Sequence, residues 1–120
     1  MKLLVVDDEG IVLESCRRVL ESEGFSVSLA KSVDEALAAI EKETFSLLLM
    51  DLKMPVHDGI YLMRELKQRK KEIPIIVMSG YSTQETIAEA DMMGANKFLP
   101  KPFTPDELIE AIREITKRRS

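Results

Sequence analysis

Five short apolar runs alternate with five helical patterns along this 120-residue chain. The run Ser46-Leu47-Leu48-Leu49-Met50-Asp51 is the most telling, because large apolar side chains end abruptly in a carboxylate. A short apolar run bounded by turn residues suits a strand buried on both faces. Met54-Pro55 and Asp58-Gly59 follow at once, so the chain turns just where the charge leaves the core. Lys2–Val6 reads as a second buried strand, ending in Asp7-Asp8-Glu9. Phe25–Ala30 alternates Phe25, Val27 and Leu29 with serines, as a strand nearer the sheet edge does. Ile73–Met78 leads into Ser79-Gly80, with Pro74 near its start, where a missing N–H is tolerated. Lys97–Leu99 is short and closes on Pro100-Lys101-Pro102.

The segments between these runs read as helices. Gly10 to about Glu23 places Val12, Cys16, Val19 and Leu20 at helical spacing, and Gly24 supplies a C-cap. Ser32 and Glu35 predict a capping box for a helix with Ala36, Leu37 and Ile40 on one face. Asp58-Gly59 opens a third helix, with Ile60, Leu62, Met63 and Leu66 inward and the basic end Lys67–Lys71 solvated. A fourth runs from about Thr83 to Met93 and stops at Gly94; Met93 and Met92 divide between core and surface. Pro105-Asp106-Glu107 starts the last, with Leu108, Ile109, Ile112 and Ile115 buried and Lys117-Arg118-Arg119 at its end. Strict alternation implies an α/β fold, a parallel sheet with helices on both faces. No linker, repeat or low-complexity stretch divides residues 1–120, so one domain is expected.

Ligands in such sheets bind outside the carboxyl ends of the strands, at the switch point. That rule gathers Asp7, Asp8, Asp51, Ser79 and Lys101, each just past a strand. In a flavodoxin-like order, 2-1-3-4-5, the first and third strands are neighbours, and Asp8 and Asp51 could share a small hard cation. Mg²⁺ suits the site, since it takes one or two carboxylates plus waters and phosphate oxygens; Mn²⁺ would be able to substitute. Without a cation the carboxylates would repel and some would stay protonated. Ser79 offers a hydroxyl, Lys101 a point charge, and Gly80 leaves room beside Asp51. Phosphoryl transfer is mostly positioning and charge neutralisation, and these are its parts.

With Asp7-Asp8, Asp51 followed by Met54-Pro55 and Asp58-Gly59, then Ser79-Gly80, Phe98 and Lys101-Pro102-Phe103, the chain resembles a response-regulator receiver domain of two-component signalling over essentially its whole length. The resemblance implies a three-layer α/β/α fold with five parallel strands and five helices. It implies that Asp51 accepts a phosphoryl group from a phosphohistidine on the dimerisation and phosphotransfer helices of a sensor histidine kinase. It implies Mg²⁺ held by Asp8, Asp51 and the main-chain carbonyl of Lys53, with Asp7 helping through water. It implies that Ser79 and Phe98 form a switch pair acting on the surface of the fourth helix, fifth strand and fifth helix. It implies kinase docking by Ile11, Val12 and Ser15 with Pro102, Phe103 and Thr104, a cis Lys101-Pro102 bond, and Lys53 and Tyr81 flanking the path of hydrolytic water. Ser79 stands where Thr is common in the family, and Phe98 where many members carry Tyr.

Other readings compete less well. Asp7-Asp8-Glu9 alone would be an acidic helix start. His57, the only histidine, reads as a solvated loop residue without a role, and Cys16 as a small core hydrophobe. An aspartyl-nucleophile phosphohydrolase usually places a second acid where Lys53 stands. No G-x-G-x-x-G or Walker A pattern supports a nucleotide-binding module. A degenerate docking receiver would lack Asp51 or Lys101. The net charge of -4 argues against direct nucleic-acid binding, and no run is long enough to span a membrane. The single cysteine fits a reducing cytoplasm. The output remains open: a single-domain regulator, a phosphorelay intermediate, or a receiver cut from a longer regulator.

Overall fold

The computed structural model describes residues 1–119, with side chains through Lys117. The order is β1 (Lys2–Val6), α1 (Gly10–Ser22), β2 (Ser26–Ala30), α2 (Val33–Lys42), β3 (Leu47–Asp51), α3 (Gly59–Gln68), β4 (Ile75–Ser79), α4 (Gln84–Met92), β5 (Lys97–Pro100) and α5 (Pro105–Arg119). All pairings are parallel, and the sheet order is β2-β1-β3-β4-β5, as the alternation predicts. The apolar run that ends at Asp51 is the central strand, and every residue of it is buried. β4 is buried throughout as well, whereas β2, on the edge, is only partly covered.

Side-chain alternation sorts the core into two layers. Leu3, Val5, Leu47, Leu49, Ile76, Met78 and Leu99 pack against α1 and α5 through Leu13, Cys16, Leu20, Leu108 and Ile112. Leu4, Val6, Leu48, Met50 and Val77 pack on the other side against α2, α3 and α4 through Ala36, Leu37, Leu62, Leu66 and Ala90. Helices thus cover both faces, which is why the inner strands carry almost no polar residue before their carboxyl ends.

Some local expectations shift. Phe25 and Ile73 fall outside β2 and β4. Ile73 and Pro74 precede β4, and the Pro74 carbonyl accepts from the Leu48 N–H. Ser32 caps α2 by accepting from the Glu35 N–H, but the Glu35 carboxylate accepts from the Lys31 N–H, one residue before the capping-box position. A complete capping box sits instead at α5, between Thr104 and Glu107. Ile109 is half-buried because its position turns away from the face that carries Leu108, Ile112 and Ile115. Met92 is exposed and Met93 half-buried. Gly24 and Gly94 end α1 and α4 at φ 90° and 103°, as helix-stopping glycines. The basic end of α5 at Arg118-Arg119 lies, as side chains, outside the described residues.

Gly59 has a packing role beyond its turn. A Cβ there would stand 2.7 Å from the Asp51 carbonyl oxygen and 2.9 Å from the Leu52 Cα. The bare glycine lets its own N–H reach the Leu52 carbonyl at 2.9 Å and seats α3 against the end of β3. Gly80 faces open space, with nothing within 4 Å of such a Cβ. Gly59→Ala should therefore destabilise the fold by about 1–3 kcal/mol, the usual cost of overpacking a rigid site. Gly80→Ala should leave stability within about 0.5 kcal/mol. Urea unfolding of the two variants checks both values.

Candidate functional site

Four of the five strands deliver a chemical group to the same edge of the sheet. β1 leads into Asp7 and Asp8, β3 ends on Asp51, β4 ends on Ser79, and β5 runs into Lys101. The central position of β1 and β3, paired Val6 to Met50, brings the acids together. Asp7, Asp8 and Asp51 can each present a carboxylate oxygen with all three within 4.8 Å of one another. Asp7 is wholly buried, Asp51 is 6% exposed, and Asp8 lies at the surface.

Lys101 bridges the two buried acids. Its Nζ donates to Asp7 Oδ2 at 2.7 Å and to Asp51 Oδ2 at 3.2 Å. It also lies 3.7 Å from Glu9 Oε1. The backbone closes the other side of each carboxylate: the Glu9 N–H donates to Asp7 Oδ1 at 2.9 Å, and the Lys53 N–H to Asp51 Oδ1 at 3.3 Å. Each oxygen has a second lone pair beyond these bonds. Burial pushes the Asp51 carboxyl above its ordinary range; Lys101 pulls it down, Asp7 pushes it up, and the net is upward. Burial works against the Lys101 ammonium, but the hydrogen bond to Asp7 and the charges of Asp51 and Asp7 outweigh it and hold the proton more tightly than usual. The repulsion foreseen from the sequence is thus met in part by Lys101 and in part by a raised Asp51.

Three carboxylates against one ammonium leave the pocket negative. Its donors are carboxylate oxygens, with no thiolate or imidazole among them, which is the donor chemistry of a small hard cation. Ser79 is fully buried, and its Oγ accepts from the Tyr81 N–H at 3.0 Å, so the hydroxyl proton remains available to donate. Phe98 is half-buried and packs against the α2–α3–α4 layer; its register partner is Val77, two residues before Ser79. Alternation therefore puts Ser79 and Phe98 on the same side of the sheet. The Lys53 ammonium stands 5.5 Å from the Tyr81 ring centroid, and the Lys101-Pro102 bond is cis.

A family model described as a response regulator receiver domain matches residues 3–113. The chain belongs to the response-regulator receiver family. It is 39% identical over 119 residues to the response regulator MprA of Mycobacterium leprae (strain TN), covering 98% of this chain and 52% of that protein. The receiver thus spans about half the length of the curated relatives it matches. Among solved structures, a CheY-like receiver domain protein from Methanospirillum hungatei JF-1 superposes with a TM-score of 0.91 at 33% identity, covering 98% of this chain and 94% of that one. The Francisella response regulator 1452 receiver domain gives 0.93 at 30% identity, covering 99% and 98%.

The receiver also brings its expected docking residues together. Ile11, Val12, Ser15, Pro102 and Phe103 line one apolar groove of about 610 Å³ between α1 and α5. Ile11 is 84% exposed at its rim. Glu9 and Lys101 border the same groove, so it opens directly beside the acidic pocket. Glu9 was not foreseen as a site residue; its place in the run Asp7-Asp8-Glu9 was the available sign. Cys16 is a core residue, as expected, but it lies close enough to the pocket for the Asp7 charge to add to burial and push its thiol up to about 11. His57 departs from expectation. It is half-buried and stacked on Tyr61, ring centroids 3.9 Å apart, with Nδ1 3.4 Å from Asp34 Oδ1. Among the described residues it joins no metal-ligand cluster.

The charge balance of the pocket has opposite consequences for two substitutions. A folded carboxyl with a raised pKa stabilises the fold while protonated, and that stability is lost as pH rises through the folded pKa. In chelator at neutral pH, Asp51→Asn should therefore raise the melting temperature, and the gain should fade as pH drops below the ordinary aspartate range. Lys101→Met leaves Asp7 buried without its cation and should cost about 3 kcal/mol at neutral pH. Thermal and urea unfolding across pH in chelator reads both signs.

Proposed function

We propose that this receiver takes a phosphoryl group onto Asp51 from the phosphohistidine of a sensor histidine kinase, in a Mg²⁺-dependent reaction. The observation that carries the reading is the placement of Asp51: nearly buried at the end of the central strand, hydrogen-bonded to Lys101, and clustered with Asp7 and Asp8. Asp8, Asp51 and the main-chain carbonyl of Lys53, with Asp7 through water, would hold the Mg²⁺, which neutralises charge on the phosphoryl oxygens. One Asp51 oxygen bonds to phosphorus as the P–N bond of the donor breaks. The electron pair returns to the imidazole, which takes up a proton. Lys101 and the Ser79 hydroxyl each stabilise a phosphoryl oxygen. Pulling Ser79 toward the phosphoryl group vacates space on the side that holds Phe98, and the α4–β5–α5 surface responds as a two-state element.

In this reading the groove of Ile11, Val12, Ser15, Pro102 and Phe103 seats the phosphotransfer helices of the kinase. The chain acts as one receiver unit, assists its own phosphorylation and dephosphorylation, and is otherwise not a conventional enzyme. Among the described residues no helix is long and apolar enough to cross a membrane. A cytoplasmic setting is proposed from the single buried, weakly acidic thiol and the kinase partner. The output keeps three alternatives: a single-domain regulator, a phosphorelay intermediate, or a receiver within a longer regulator.

Incubation with a small-molecule phosphodonor and Mg²⁺ should add one phosphoryl group, read by intact mass. Asp51→Asn, or chelator, should abolish it; labelling of Asp51→Asn at the wild-type level would overturn the assignment. Ile11→Asp should slow transfer from a phosphorylated kinase by about tenfold or more, the loss expected from a charge set into an apolar contact. The same variant should leave labelling by the small-molecule donor unchanged, which separates docking from chemistry.

A further inference from the structure

The α4–β5–α5 face has a chemistry of its own that limits what can sit on it. β5 is an edge strand, with a groove on each side. The groove toward α4, about 320 Å³, is bordered by Ile87, Ala88 and Asp91 at helical spacing and by Phe98. The groove toward α5, about 480 Å³, shares Phe98 and is bordered by Asp106, Glu107, Glu110 and Glu114. Positions 107, 110 and 114 fall on one helical stripe, so α5 presents a continuous acidic wall to the groove. Lys97 is the one cation among the described residues lining the two grooves, and it is paired with Glu114 at 3.0 Å. Ile87 is 38% exposed and Met92, at the end of the same helix, is 82% exposed.

A second copy meeting this face by two-fold symmetry would set the same patch against itself. The acidic wall would then meet either the copy's own α5 wall or its α4, which holds Glu85, Glu89 and Asp91 and no Lys or Arg; with Lys97 already engaged, like-charge juxtaposition opposes either contact. The same wall repels nucleic acid. A protein segment with apolar side chains on one side and Lys or Arg on the other matches both features: anchors for the grooves beside Phe98 and Ile87, cations for α5.

We propose that the α4–β5–α5 face docks a basic amphipathic segment of a partner protein rather than a second copy of this chain. The proposal rests on the receiver reading for its link to phosphorylation, and on the charge pattern for the class of partner. The test uses two synthetic helical peptides with the same leucine pattern, one with Lys and one with Glu at every polar position. Each is titrated into isotope-labelled protein in Mg²⁺, with and without the small-molecule phosphodonor. The Lys peptide should bind at least about tenfold more tightly than the Glu peptide and shift resonances around Ile87, Lys97 and Glu110. Its affinity should fall with salt and drop at least about tenfold in Asp106→Lys/Glu110→Lys. Sedimentation should find the phosphorylated protein monomeric. Equal affinity for both peptides, shifts confined to another face, or a phosphorylated dimer joined through this face would each overturn the proposal. Intact mass keeps the two readings apart: an unlabelled Asp51 overturns the receiver reading, while peptide discrimination by the unphosphorylated protein still decides the docking.

Discussion

Everything at the functional edge depends on Lys101 standing between Asp7 and Asp51. Two carboxylates that close, in a site this buried, could not both stay ionised without a compensating charge. The ammonium supplies it, and its own burial is offset by the same two acids. The arrangement is balanced and not saturated. Asp51 is still pushed upward, Asp8 lies at the surface beside the pair, and the pocket remains short of positive charge. A site in this condition gains from an added cation, and on the proposed function an incoming phosphoryl group would need one. The proposed metal dependence therefore follows from charge arithmetic within the pocket as much as from the family.

The sheet makes this balance available. Parallel strands aim all their carboxyl ends at one edge, so residues far apart in sequence converge without any loop having to reach far. Asp7 and Lys101 are 94 positions apart and still share a 2.7 Å contact. Burying both faces of β1, β3 and β4 fixes their register, since a slip by one residue would exchange the two core layers. The register in turn fixes the acids. Gly59 extends the same logic to the loop: its missing side chain lets α3 press against the backbone of Asp51 and Leu52.

The strand order, the two helical layers and the convergence of Asp7, Asp8, Asp51, Ser79 and Lys101 were legible because each is set by patterns the chain shows locally. An apolar run ending in a polar group needs only periodicity to be read. What escaped needed three-dimensional contact. Glu9 looked like helix-start acidity until its carboxylate stood near Lys101. Gly59 reads as a turn residue in sequence, whereas in the fold any side chain there would collide with the β3 backbone. His57 looked solvated because nothing in sequence places Tyr61 and Asp34 around it. Ile109 was assigned inward from its apolar character, although its position rotates it partly off the buried stripe. Phe25 and Ile73 were assigned to strands by the same apolar character, but strand ends are set by pairing partners that sequence does not supply.

The proposed chemistry and the proposed readout fall on different sides of one sheet, and that division would let a local event have a distant effect. The period of two puts Asp51 in line with Leu47 and Leu49 on the α1–α5 side, next to the apolar groove where a donor would sit. It puts Ser79 in line with Val77 and Phe98 on the α4 side. Asp51 and Ser79 end adjacent strands, Asp51 in register with Met78, so both stand at the edge where the sheet no longer separates the two layers. In the proposed mechanism a change of charge on Asp51 would therefore reach the other layer through the Ser79 hydroxyl, and from there Phe98, whose ring borders both grooves of the acidic face. On this proposal Asp51 would not have to touch the output surface for its modification to be felt there. The proposed switch would need two stable positions of the hydroxyl, with room for the aromatic ring in only one of them.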